Sequence, residues 1–231
     1  FPTYVIDQAW RGRSAASPAQ INAVKAGRAD PNSLPAVFSA GREPAWAIFR
    51  FGPEYPKVFP DMQFPLEAQG EFWKQMVPDW SASLPVPNPT VPALSELAKR
   101  LKGAVLISHS QSGIYIFQTA ALDRSGIRAI VAIEPAACPD PAKDDLSPYK
   151  DLPILVLFGD YVDASPRWAP RLKQCRGFVA AANAAGGRAE LILLPEIGIH
   201  GNSHMLMQDK NSLDIADWLS GWIDKRAPGK S

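Results

Sequence analysis

The chain has 231 residues, of which 46% are hydrophobic and 20% charged, with a net charge of +1. That length suffices for one sizeable core. The near-zero charge argues against nucleic acid or an anionic membrane surface as a partner, and no apolar run is long enough to span a bilayer.

Taken in chain order, Tyr4-Val-Ile6 reads as a short strand. Residues 11–90 follow with no steady period. They are rich in proline and carry Trp46, Phe49, Phe51, Phe59, Phe64, Phe72, Trp73 and Trp80. This is too long for a simple connection. It reads as a cap-like insertion, its aromatics either a small core of their own or the lining of an apolar substrate pocket. Trp46, Phe49, Trp73 and Trp80 are the candidate lining residues.

From Val91 the pattern becomes regular. Leu94, Leu97, Ala98 and Leu101 have helical spacing, and Ala104-Val-Leu-Ile107 is a short apolar run of the kind that forms a buried parallel strand. A helix is predicted over 113–122, strands over 127–133, 154–158 and 191–194, and helices over 171–185 and 213–223. Gly186-Gly187 is the expected helix stop. Strands alternating with helices predict an α/β fold, a mainly parallel sheet flanked by helices, here as a single domain over 1–231.

The strand ending at Ile107 runs into Ser108-His-Ser-Gln-Ser-Gly113, and a helix follows. A small-x-Ser-x-small turn between strand and helix is a nucleophile elbow: small flanking residues allow a sharp, strained turn that exposes the central hydroxyl. Ser110 is therefore the candidate nucleophile, and the backbone N–H of Gln111 a candidate oxyanion donor. The plainer alternative is a serine-rich helix start in which Ser108 or Ser110 merely caps. His109 is expected to pack beside the turn.

A serine hydroxyl needs a base. His200 and His204 both lie in Gly198-Ile-His-Gly-Asn-Ser-His-Met205 after the last strand, and His204 is preferred. For the acid that orients the base, Glu134 ends one strand, while Asp160 and Asp163 follow the next. Pattern alone leaves Glu134 and Asp163 both open. Cys138 and Cys175 fit no metal motif, and counting alone leaves them as two buried thiols or a disulfide.

Asp7-Gln-Ala-Trp-Arg-Gly-Arg-Ser14 resembles the turn after the fourth strand of α/β-hydrolases. Ser108–Gly113, Ile133-Glu-Pro135, Pro166-Arg-Trp-Ala-Pro-Arg-Leu172 and Gly201-Asn-Ser-His-Met205 together resemble a small group of atypical exported bacterial esterases of that fold. The resemblance implies a Ser-Glu-His triad of Ser110, Glu134 and His204, acyl-enzyme chemistry on a small-molecule ester, no cofactor or metal, a secreted or periplasmic location and a Cys138–Cys175 disulfide. It also implies that, with Tyr4–Ile6 as the fourth strand, the earlier strands and a second oxyanion donor belong to a segment upstream of Phe1; the alternative is a minimal fold in which residues 7–14 supply that donor.

Overall fold

The computed structural model describes residues 1–9, 18–34, 41–76 and 89–228. In chain order the helices and strands are α1 (Pro18–Lys25), α2 (Arg42–Ile48), α3 (Gln69–Lys74), α4 (Thr90–Arg100), β1 (Ala104–His109), α5 (Gly113–Leu122), β2 (Ile127–Ile133), β3 (Pro153–Phe158), α6 (Ala169–Ala184), β4 (Arg188–Leu193) and α7 (Ser212–Arg226). The chain divides into two compact units. The smaller comprises Phe1–Gly41 with Glu67–Thr90, the larger Arg42–Leu66 with Val91–Ser231. The irregular segment is thus divided, with Arg42–Leu66 belonging to the larger unit.

In the smaller unit, α1 is joined to a 3₁₀ turn at Pro31–Ser33 by a hydrogen bond from the Gln20 side chain to the Ser33 carbonyl. Phe72 is buried and packs against Trp73, with ring centroids 5.0 Å apart. Tyr4-Val-Ile6 is not a strand, contrary to expectation. It carries no ladder bonds, and Val5 is 87% exposed. Three apolar residues do not make a strand unless a neighbour accepts their backbone bonds. The turn motif at residues 10–14 lies outside the described residues, as does Trp80.

The larger unit is built on a parallel sheet in the order β1-β2-β3-β4. Every residue of β3 is buried, because both faces of the sheet are covered. On one face Leu106, Ile130, Ala132, Ile154, Val156 and Phe158 pack with residues of α5 and α6. On the other, Ala129, Val131, Leu155 and Leu157 meet Ile215, Trp222 and Ile223 of α7. The alternation along β3 and along β2 from Ala129 onward follows from the two-residue period of a strand. Leu172, Cys175, Phe178 and Ala182 form the buried stripe of α6, at helical spacing.

The end of α6 is a Schellman turn: Gly187 N–H bonds Ala182 O at 2.8 Å and Gly186 N–H bonds Asn183 O at 3.0 Å, with Gly186 at φ +88°. β4 starts three residues before the predicted run, since Arg188–Glu190 pair with Pro153–Leu155 despite their polarity. Ladder bonds, rather than side-chain hydrophobicity, set that boundary.

Register places the chemistry. His109 pairs with Ile133, and Ile133 with Leu157. The carboxyl ends of three adjacent strands therefore stop level, and Ser110, Glu134 and Gly159 follow at or just past those ends, where open α/β sheets carry their sites.

Cys138 and Cys175 form a disulfide, with Cα atoms 5.1 Å apart and a sequence separation of 37. It ties the loop after Glu134 to α6. Loop-closure entropy for that separation corresponds to about 4 kcal/mol. The Cys138→Ala/Cys175→Ala protein is expected to melt well below the wild type, and reductant should lower the wild-type midpoint to match. Equal midpoints in urea, with and without reductant, would count against a stabilising bridge.

Candidate active site

Ser110 opens a 3₁₀ turn, Ser110–Ser112, that leads straight into α5. Its φ is +57°, a left-handed value that costs a non-glycine residue energy and recurs where function requires it. Three bonds hold the turn. Ser112 Oγ accepts from His109 N–H at 3.3 Å and donates to His109 O at 2.8 Å, and Ala136 N–H donates to Ser110 O at 2.9 Å. Small neighbours are needed because backbones crowd here: a Cβ on Gly113 would come within 2.8 Å of Pro135 Cα. Gln111 N–H, the first amide after the serine, enters no backbone hydrogen bond among the described residues.

His204 is fully buried. Its Nε2 lies 2.8 Å from Ser110 Oγ and its Nδ1 lies 3.1 Å from Glu134 Oε2. A carboxylate only accepts, so Nδ1 carries the proton and Nε2 accepts from the serine hydroxyl. Of the two acid candidates, Glu134 is the one brought to the imidazole. Asp163 is exposed, as is His200, whose Nδ1 lies 3.7 Å from Asp160 Oδ2.

Glu134 is also fully buried, and φ +49° turns its side chain out of the strand's course. An isolated buried carboxylate would be very costly. This one accepts from four donors: Arg50 Nη1 at 2.7 Å, Arg50 Nη2, Gly159 N–H at 2.5 Å and His204 Nδ1. Gly159 can approach because it has no side chain; a Cβ there would sit 3.0 Å from Glu134 Oε1 and 2.9 Å from Ser203 O. Burial pushes the Glu134 carboxyl up. The charge of Arg50 and the hydrogen bonds from His204 and Arg50 outweigh it, and the group rests well below the usual carboxylate range. For His204, burial pushes the imidazole down further than Glu134 pulls it up, leaving it below its ordinary 6.5.

The loop that carries His204 is fastened at several points. Asp209 accepts from Asn202 Nδ2 (2.9 Å), Ser203 N–H (2.9 Å) and Ser203 Oγ (2.7 Å). Asp160 Oδ2 accepts from Gly201 N–H, and Asp160 N–H donates to Asn202 O, both at 3.0 Å. The segment Arg42–Leu66 adds its own clamps. Phe49 O accepts from His204 N–H at 2.9 Å, and Gln63 N–H donates to Gly201 O at 2.8 Å. His109 Nε2 donates to His204 O at 2.8 Å. The Trp168 and His109 rings lie 4.3 and 4.7 Å from the imidazole, and Phe49 lies at 6.1 Å.

Of the aromatic candidates, Phe49 is thus beside the imidazole. Trp46 is core: it is 2% exposed, packs edge-on against Phe51 and Tyr55, and donates Nε1–H to Lys57 O at 2.8 Å. Trp73 belongs to the smaller unit. Sequence reasoning does not single out Arg50 and Asp209; it names Asp160 only as an alternative acid and Trp168 only within the motif Pro166–Leu172. Arg50 did leave a signal, a single charge in Trp46-Ala-Ile-Phe-Arg-Phe51, where burial demands a carboxylate partner.

Two histidines, His204 buried and His109 half-buried, make a pH prediction. Burial also holds His109 below 6.5, against the pull of its carbonyl hydrogen bond. The unfolded chain then binds protons more readily than the folded one below pH 6.5, so stability should fall as pH drops through that value, by up to about 1.4 kcal/mol per unit for each histidine. Urea midpoints between about pH 7.5 and 5 measure this. His204→Gln and His109→Gln should each flatten the slope; unchanged slopes in both would contradict the assignment.

No family model matches the chain. Among solved structures, one described as a novel bacterial esterase is 58% identical, with a TM-score of 0.89, over 97% of this chain and 70% of its own. Among curated proteins, the probable secreted lipase phiG of a fungal species is 24% identical over 275 residues, spanning 98% of this chain and 73% of the relative. An identity and coverage of that order, joined to a parallel sheet flanked by helices, mean that the chain belongs to the α/β-hydrolase esterases and is a hydrolase of ester bonds.

Proposed function

We propose that the chain hydrolyses small or moderately apolar carboxylic esters through a Ser110 acyl-enzyme, with His204 as general base and acid and Glu134 as the carboxylate that orients it. The observation that carries the reading is the continuous chain Ser110 Oγ–His204–Glu134, at 2.8 and 3.1 Å. His204 Nε2 takes the hydroxyl proton as Ser110 Oγ attacks the ester carbonyl carbon. The Gln111 N–H stabilises the oxyanion of the tetrahedral intermediate. The imidazolium, steadied by Glu134, returns its proton to the departing alcohol. Water then attacks the acyl-enzyme by the same route and frees the acid and Ser110.

Similarity to a bacterial esterase and a probable secreted lipase supports an ester as substrate. Lactones, amides and carbon–carbon bonds are the alternatives on the same machinery. The disulfide favours an oxidising compartment, secreted or periplasmic.

Kinetics of folded variants test the roles. Ser110→Ala is expected to lower kcat by about 10⁵–10⁶-fold. Glu134→Gln should cost on the order of 10⁴-fold, because it stabilises the wrong imidazole tautomer, and Asp163→Asn little. His204→Ala should be far more harmful than His200→Ala. The acid limb of kcat/KM should lie below pH 6.5, since His204 serves as base only while neutral and burial keeps it neutral below its ordinary range. Near wild-type turnover by Ser110→Ala, or Asp163→Asn more harmful than Glu134→Gln, would refute the assignment.

A further inference from the structure

Arg50 is a charged side chain in direct contact with Glu134 that the acyl-transfer sequence leaves without a task. It is 1% exposed and follows α2 with φ +53°, a strained backbone value for a residue with a side chain. Two of its three donor nitrogens face the acid. Nη1 and Nη2 grip the two oxygens of Glu134 as a fork, and Nε donates to Asp160 O at 2.9 Å. Its guanidinium carbon lies 5.5 Å from the centre of the Trp168 ring, and that ring lies 4.3 Å from the His204 imidazole. The cation therefore sits one group removed from the base on two sides, through Glu134 and through Trp168.

Resting on the Ser110–His204–Glu134 reading, we propose that Arg50 is a positioning residue: its guanidinium fixes Glu134 as an immobile, ionised acceptor for His204 Nδ1–H and extends catalysis to acidic pH. A planar fork on a carboxylate removes its freedom to rotate or to take a proton. Oε2 is then held in the one place where it bonds both Arg50 Nη1 and His204 Nδ1. A positive charge next to the acid also weakens the field with which Glu134 would favour an imidazolium, so the imidazole stays neutral, and basic, at lower pH.

The other groups around His204 do not supply this effect. His109, at the end of β1, gives its Nε2–H to the His204 carbonyl and is itself held neutral by burial. Arg171 of α6 lies 5.4 Å from the centre of the Trp168 ring and does not reach Glu134. The Asp160 carboxylate is engaged by Gly201 N–H and Tyr161 N–H, with His200 beyond it. The Asp209 carboxylate is engaged by Asn202 and Ser203. Among the described residues, Arg50 is the arginine or lysine that touches the acid.

Arg50→Gln keeps a neutral donor for Glu134, and Arg50→Lys keeps the charge without the fork. With a chromogenic ester and the full chain, the acid limb of kcat/KM is expected to move up by on the order of one pH unit in Arg50→Gln. It should stay at the wild-type position in Arg50→Lys, with kcat reduced and KM little changed. A folded Arg50→Gln protein with the wild-type acid limb would overturn the inference, and so would an equal shift in both variants. His204→Ala is the control: if it retains turnover, the triad reading itself fails, whereas a dead His204→Ala with unshifted Arg50 variants rejects the role of Arg50 alone. Should Arg50→Gln not fold, ¹⁵N resonances of the wild-type histidines decide. His204 should keep its Nδ1–H form well below pH 6.5, and titration at or above that value would overturn the proposal.

Discussion

A carboxylate with no exposure to water stands at the centre of the larger unit. Glu134 can be buried as an anion only if its lone pairs are met, and they are met from three separate stretches of chain: Arg50 after α2, Gly159 after β3 and His204 in the loop before α7. Breaking a buried charge pair by removing one partner costs about 3–5 kcal/mol. That demand makes the site and the fold one problem. The segment carrying Arg50 must close onto the sheet, the strands must end level, and position 159 must lack a side chain, or the carboxylate is left unpaired.

Part of the backbone strain lies around the same point, while Lys102 and Asp151 carry similar φ values elsewhere. Arg50, Ser110, Glu134 and Tyr161 all have φ between +49° and +58°. Each such residue costs about 1–3 kcal/mol and persists only where its surroundings over-determine it. Here the surroundings are the hydrogen bonds of the elbow, the fork of Arg50 and the Asp209 and Asp160 clamps on the histidine loop. On the proposed mechanism His204, fastened through its own N–H to Phe49 O and through its carbonyl to His109, needs little rearrangement when a proton moves. Preorganisation of this kind is where much of an acyl-transfer enzyme's rate originates.

The strands and helices after residue 90 were legible because their cause is local. Ile127–Ile133 and Gly113–Leu122 are apolar enough to declare a buried strand and a packed helix, and both ends agree with the structure. Ser110 was legible from its place between them. The choice of Glu134 over Asp163 needed resemblance, since a carboxylate's partner is not written beside it. Arg50 lies 84 residues before Glu134, in a stretch without a period, and nothing local connects the two. The same stretch hid the fact that residues 42–66 hold the histidine loop. Tyr4–Ile6 misled for the converse reason: local apolarity suggested a strand, while the pairing that makes one is a property of neighbours.

Peptide mapping after reaction with a fluorophosphonate is the most direct test of the central claim, that Ser110 is the nucleophile and is activated through His204 and Glu134. The account predicts a single phosphonyl adduct, on Ser110, formed rapidly by the wild type and far more slowly by His204→Ala. An adduct on another residue, or undiminished labelling of Ser110 without His204, would contradict it.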